Sequence, residues 1–75
     1  MLLPALNALY AVGMKVRDVL KLLKANGWHQ VSARGGHRQF KHPTKRGRVT
    51  LSGKLSHDIP PGTLNSIFKQ AGLQS

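Results

Sequence analysis

The stretch Trp28-His29-Gln30-Val31-Ser32-Ala33-Arg34-Gly35-Gly36-His37-Arg38-Gln39-Phe40-Lys41-His42 sets the architecture of the whole chain. Two short runs of strand-like texture flank a Gly-Gly pair. A diglycine between such runs signals a hairpin, because glycine tolerates the positive φ that tight two-residue turns demand. The first run spans Trp28 to Arg34 and the second His37 to His42. Trp28 and Val31 break strict alternation, so the first strand begins either at Trp28 or after it, with Trp28 in the entry turn. Pro43-Thr44-Lys45-Arg46-Gly47 supplies a second turn, and Arg48 to Leu51 a third strand. Turns this short make the three strands antiparallel neighbours.

Successive strand side chains point to opposite faces. With Phe40 turned into the core, Arg38 and His42 share its side, while His37, Gln39 and Lys41 point the other way. Val49 and Leu51 should face inward, which turns Arg48 and Thr50 outward. One open sheet face then presents His37, Gln39, Lys41, Arg48 and Thr50 together. Arg38 is the awkward member: it is placed inward and must escape near the strand end.

Outward from the sheet, Val16, Val19, Leu20 and Leu23 recur at i, i+3, i+4, i+7 and predict one helix between Met14 and Asn26. Gly27 is its αL stop, and Lys21 and Lys24 suit its C-terminal dipole while occupying a solvated face. On the other side, Ser52 to Ile59 is expected to be a loop with Gly53 as a breaker. Pro60 and Pro61 open the last helix, whose stripe is Leu64, Ile67, Phe68 and Ala71. Gly72 stops it, and Leu73 can fold back on its end. The expected fold is α+β, in the order α-β-β-β-α, with a three-stranded antiparallel sheet and two amphipathic helices packed on one face.

Residues 1–13 carry no charged side chain. They lack the positive start of a secretory signal and fall well short of the roughly 20 apolar residues of a membrane span. They are expected to form an N-terminal extension ahead of a domain at 14–75, with Met14 as the functional start. No membrane association is expected, and the cytoplasm is the expected compartment.

At 75 residues the chain makes a single small domain with a thin core. It has no cysteine, so disulfide staples, thiolate metal sites and cysteine nucleophiles are excluded. Twelve Lys and Arg face two acidic residues, Asp18 and Asp58, for a net charge of +10. Ten of the twelve cations lie between Lys15 and Arg48. Such an excess favours polyanionic partners, and the helical periods set the chain apart from a disordered basic tail.

His29, His37, His42 and His57 show no spacing diagnostic of zinc, and two carboxylates are few for a magnesium site. No cofactor is expected. Asp18 and Asp58 have no evident way to orient His37, which weakens a serine–histidine–carboxylate reading. Metal-free RNA cleavage remains open. RNA carries its own nucleophile, the 2′-hydroxyl, and needs from the protein a proton carrier and cations for the transition-state charge. His37 suits the first task, and Lys41, Arg34 and Arg48 the second. A non-catalytic RNA- or DNA-binding module, in which His37 contacts phosphate or stacks on a base, fits the same residues equally well. A membrane-active basic peptide using residues 1–13 as an apolar arm is a third reading.

From Met14 to Leu73 the chain resembles the HicA toxins of bacterial and archaeal type II toxin–antitoxin systems. The likeness rests on Val19-Leu20-Lys21-Leu22-Leu23, Asn26-Gly27-Trp28, Gly35-Gly36-His37-Arg38-Gln39-Phe40-Lys41-His42-Pro43 and Arg48-Val49-Thr50. It continues through Ile59-Pro60-Pro61-Gly62-Thr63-Leu64 and Ile67-Phe68-Lys69-Gln70-Ala71-Gly72-Leu73. The resemblance implies a fold like that of double-stranded-RNA-binding domains. It also implies a metal-independent endoribonuclease acting on mRNA, a single catalytic histidine at His37, and a HicB antitoxin as partner. A mostly acidic antitoxin laid over the open sheet would neutralise charge and block His37 together. Gly35, Gly36, Arg34, Lys41, Lys45, Arg46 and Arg48 are the expected RNA-contacting residues; for the last four the sequence leaves open contact with RNA or with the antitoxin. The family's functional histidine follows a Gly-Ser pair; this chain departs from that pattern with Gly36.

Overall fold

The computed structural model describes residues 13–73. The expected extension therefore lies, apart from Gly13, outside the described residues. Helix α1 covers Val16–Ala25 and helix α2 Pro61–Ala71, joined by strands β2 (His29–Arg34), β3 (His37–Lys41) and β4 (Val49–Ser52). The sheet order is β2-β3-β4, antiparallel throughout. This is the α-β-β-β-α order that periodicity predicts.

Both helices stop by the same device. Gly27 (φ 89°) and Gly72 (φ 69°) adopt the left-handed conformation that a Cβ disfavours. Beyond each glycine the next residue returns its N–H five positions, Trp28 to Leu23 O and Leu73 to Phe68 O. Each also turns its side chain under the helix end, so that Trp28 and Leu73 are both buried. The expected fold-back of Leu73 is thus one half of a repeated motif.

The core lies between the helices and one sheet face. Val16, Val19 and Leu23 of α1 and Leu64, Ile67, Phe68 and Ala71 of α2 close over Phe40, Val49 and Leu51. These are the inward residues that strand alternation assigns. All six residues of β2 are exposed, so this edge strand stands out beyond the helix layer. Its register slips between Gln30 and Ser32, leaving Val31 as a bulge at 49% exposure. The break in alternation at Val31 is that bulge. Trp28 precedes the strand, which resolves its two readings in favour of the entry turn.

Three boundaries differ from expectation, the smallest being β3, which ends at Lys41 rather than at His42. Met14–Lys15 does not join the helix but forms a two-residue strand, β1, paired with Asp58–Ile59, β5, inside the expected loop. The reason is the helix N-terminus, whose first N–H groups have no partner within the helix. Val16 N–H donates to His57 O at 2.9 Å and Arg17 N–H to Leu55 O at 3.1 Å. Lys15 N–H donates to Asp18 Oδ2 at 3.0 Å. The 54–59 segment is therefore the cap of α1, and the β1–β5 pair fixes it there. The third strand also runs one residue further than expected, from Val49 to Ser52 rather than from Arg48 to Leu51. Among the described residues no helix is long and apolar enough to cross a membrane.

Candidate functional site on the open sheet face

The site is built by the β2–β3 hairpin and its neighbour β4. Gly35 (φ 59°) and Gly36 (φ 84°) form the two-residue turn, with both central residues at positive φ as a type I′ connection requires. The turn chemistry explains the glycine before the histidine. No neighbour would crowd a Cβ at position 36, yet any side chain there would sit in a strained backbone conformation.

Pairing across this turn sets the face. Arg34 lies opposite His37 and Ser32 opposite Gln39, while on the other side His37 meets Ser52 and Gln39 meets Thr50. Directly opposed residues share a face, so one row holds Arg34, His37 and Ser52, and the next Ser32, Gln39 and Thr50. Thr50 Oγ1 donates to Gln39 Oε1 at 3.1 Å and fixes that amide across the strands. Lys41 lies one step further along, opposite His29. Ser32, Arg34, His37, Gln39 and Arg48 line one concavity. It has no carboxylate in its wall. Asp18 is bound to Lys15 N–H and Asp58 to Lys15 Nζ at 2.9 Å, both on the β1–β5 side.

His37 is exposed, and its Nδ1 lies 2.8 Å from Ser52 Oγ. The second ring nitrogen, Nε2, is left for whatever enters the concavity. A histidine held at one nitrogen and open at the other can carry a proton to or from a bound group. Two arginines on the same wall offer fixed positive charge where a phosphate would sit.

The expected site residues divide accordingly. Arg34, Arg48 and His37 meet at the concavity, with Gly35 and Gly36 forming the turn beside it. Lys41 shares the face without lining the hollow. Arg46 lies in the exposed connection after β3, away from that lining. Lys45 is turned elsewhere: its Nζ donates to Ala71 O at 3.1 Å, at the C-terminal end of α2. Arg38 escapes the core as its position demands, with Nη1 donating to Gly53 O at 2.9 Å. Ser52, the hydrogen-bond partner of His37, is expected from the sequence only as the start of the loop after the third strand. Extending the β4 alternation two residues past Thr50 would have placed it on the open face.

His42 is differently engaged. It is half-buried with both nitrogens occupied, and its ring meets Trp28 edge-on at 5.2 Å between centroids. Among the described residues no three of His, Asp, Glu and Cys converge on a point.

No curated protein matches the chain. A family model described as the HicA toxin of bacterial toxin–antitoxin systems matches residues 16–73, from the first turn of α1 to the buried Leu73. That span takes in both helices, the sheet and the histidine-bearing hairpin. The chain belongs to the HicA family, the toxins of bacterial toxin–antitoxin systems.

Proposed function

We propose that this toxin is a metal-independent endoribonuclease that cleaves mRNA through His37 and so arrests translation. The observation that carries the proposal is the exposed His37 imidazole, held at Nδ1 and open at Nε2, in a concavity walled by Arg34 and Arg48. RNA laid across this face would present its 2′-hydroxyl to Nε2. The imidazole takes the hydroxyl proton as O2′ attacks phosphorus; the P–O5′ bond breaks, and O5′ takes up a proton as it leaves. The products are a 2′,3′-cyclic phosphate and a 5′-hydroxyl. Arg34 and Arg48 offset the charge that builds on the phosphate oxygens. DNA has no 2′-hydroxyl and is not cut by this route. An acidic antitoxin of the HicB type, seated on the same face, would cover His37 and the cations in one contact. The double-stranded-RNA-binding-domain likeness belongs with this reading, since the element order is the same.

The test is His37→Ala, assayed on a single-stranded RNA and on growth after induction. Cleavage should fall by at least about 100-fold, the usual worth of a positioned proton carrier, and arrest should disappear. Thermal stability should stay at the wild-type value. Undiminished cleavage by this variant would remove His37 from the chemistry. Loss of wild-type cleavage in EDTA would overturn the metal-free route.

A further inference from the structure

We infer that Ser52 is the positioning residue of His37, and that its hydroxyl follows the imidazole through both of its protonation states. This rests on the ribonuclease reading for its catalytic consequence, though not for its geometry.

The geometry is specific. Ser52 and His37 are directly opposed on β4 and β3, and Ser52 Oγ lies 2.8 Å from His37 Nδ1. The contact spans 15 residues of sequence and is set by strand register, so it is not a by-product of local chain folding. Among the described residues no other group is hydrogen-bonded to the His37 ring. Position 36, just before the histidine, is a glycine whose φ of 84° belongs to the turn. Both carboxylates of the chain are engaged on the β1–β5 side.

A hydroxyl differs from the carboxylate that commonly orients a catalytic histidine. It can accept or donate. When Nε2 is bare and ready to take a proton, Nδ1–H donates to Ser52 Oγ. Once Nε2 has taken the 2′-hydroxyl proton the ring is an imidazolium, and Nδ1–H still donates to Oγ. If Nε2 alone keeps a proton, the hydroxyl rotates and donates to Nδ1. Ring orientation therefore survives each proton transfer. No fixed negative charge traps the imidazolium, so the same nitrogen that accepts the proton can release it to the leaving O5′. For a site with one histidine and no acid on its wall, that neutrality lets one group do both halves of the reaction.

The inference predicts separate effects on catalysis, on pH dependence and on the ring itself. Ser52→Ala should lower kcat about tenfold, the rate equivalent of one lost hydrogen bond, with KM for RNA unchanged. Ser52→Thr, which keeps the hydroxyl on a strand-compatible side chain, should restore most of it. Ser52→Asp should move the pH–rate profile toward higher pH, because a carboxylate at this position favours the charged ring. In the wild-type protein, side-chain ¹⁵N spectra should show the two His37 nitrogens sharing the proton differently from Ser52→Ala. His29, on the same face, should be unchanged and serves as the internal control. A His37 ¹⁵N pattern and a kcat both unmoved by Ser52→Ala would overturn the inference. If the ¹⁵N pattern moves but the wild-type protein cuts no RNA, the positioning contact stands and the ribonuclease reading falls.

Discussion

Strand β3 runs between two histidines that the fold treats in opposite ways. At its start, His37 stands on the open face with one hydroxyl for a partner and an arginine-walled hollow in front of it. Just past its end, His42 has its Nδ1 facing the N–H groups of Thr44 and Lys45 at 3.1 and 3.2 Å, and its Nε2 3.0 Å from Asn26 O. Two donors at Nδ1 require a lone pair there, which assigns the proton to Nε2 and makes Asn26 O its acceptor. Such a ring has no nitrogen left for a substrate. The difference comes from what each neighbouring turn offers. The Gly35-Gly36 turn is closed by its own backbone and projects nothing at His37. The Pro43–Gly47 connection leaves N–H groups that need an acceptor, and His42 supplies it while bracing Trp28 at the end of α1.

The comparison breaks most readily by deleting each ring in turn. His37→Ala removes the proposed proton carrier and should leave stability within about 0.5 kcal/mol, as for an exposed surface change. His42→Ala should do the reverse. It loses four partly solvated hydrogen bonds and an aromatic edge contact, together on the order of 2 kcal/mol. Urea unfolding would register that loss, while cleavage per folded molecule should stay near wild type. A stable His42→Ala protein that no longer cuts RNA would mean that the two ends of β3 have been assigned the wrong way round.

Most of this division was written locally in the sequence. The stops at Gly27 and Gly72, the apolar stripes and the Gly-Gly turn each depend on residues within a few positions of one another. Period two alone placed His37, Gln39 and Thr50 outward and Phe40, Val49 and Leu51 inward. What escaped was contact set by register or by distant backbone. The β1–β5 pair joins residues more than 40 positions apart, and its motive is the set of unpartnered N–H groups at the start of α1. Ser52 needed the exact end of β4, one residue beyond the expected strand. Lys45 looked like a phosphate ligand because it is a cation in a basic turn. Only the packed position of α2 brings Ala71 O to its Nζ.

Gly27 gives a finer cut through the structural end of β3. At φ 89° its missing side chain leaves room for His42, and a Cβ would stand 2.8 Å from His42 Nε2. Gly27→Ala therefore adds backbone strain of about 1–2 kcal/mol and displaces the ring that braces Trp28. The total should approach 2–4 kcal/mol, which places it among the more damaging single changes. His37 lies at the other end of the strand, so its ¹⁵N pattern and the cleavage rate at low temperature should not move. A tolerated alanine would show that His42 can shift without cost, and its bracing role would be lost.

The smallest effects separate two cations that sequence could not tell apart. Arg48 lines the concavity with His37, whereas Lys45 reaches the last turn of α2. Arg48→Ala should weaken single-stranded RNA binding and reduce the slope of log affinity against log salt by about 0.7, the loss of one phosphate contact. Its stability should be unchanged. Lys45→Ala should leave that slope alone and cost about 0.5–1 kcal/mol through the lost carbonyl bond and the cation at a helix C-terminus. Both measurements are needed on both variants, because a general fall in positive charge would shift the two salt slopes together. Equal slopes for the two variants would return Lys45 to the RNA surface and make its bond to Ala71 a resting contact that RNA displaces.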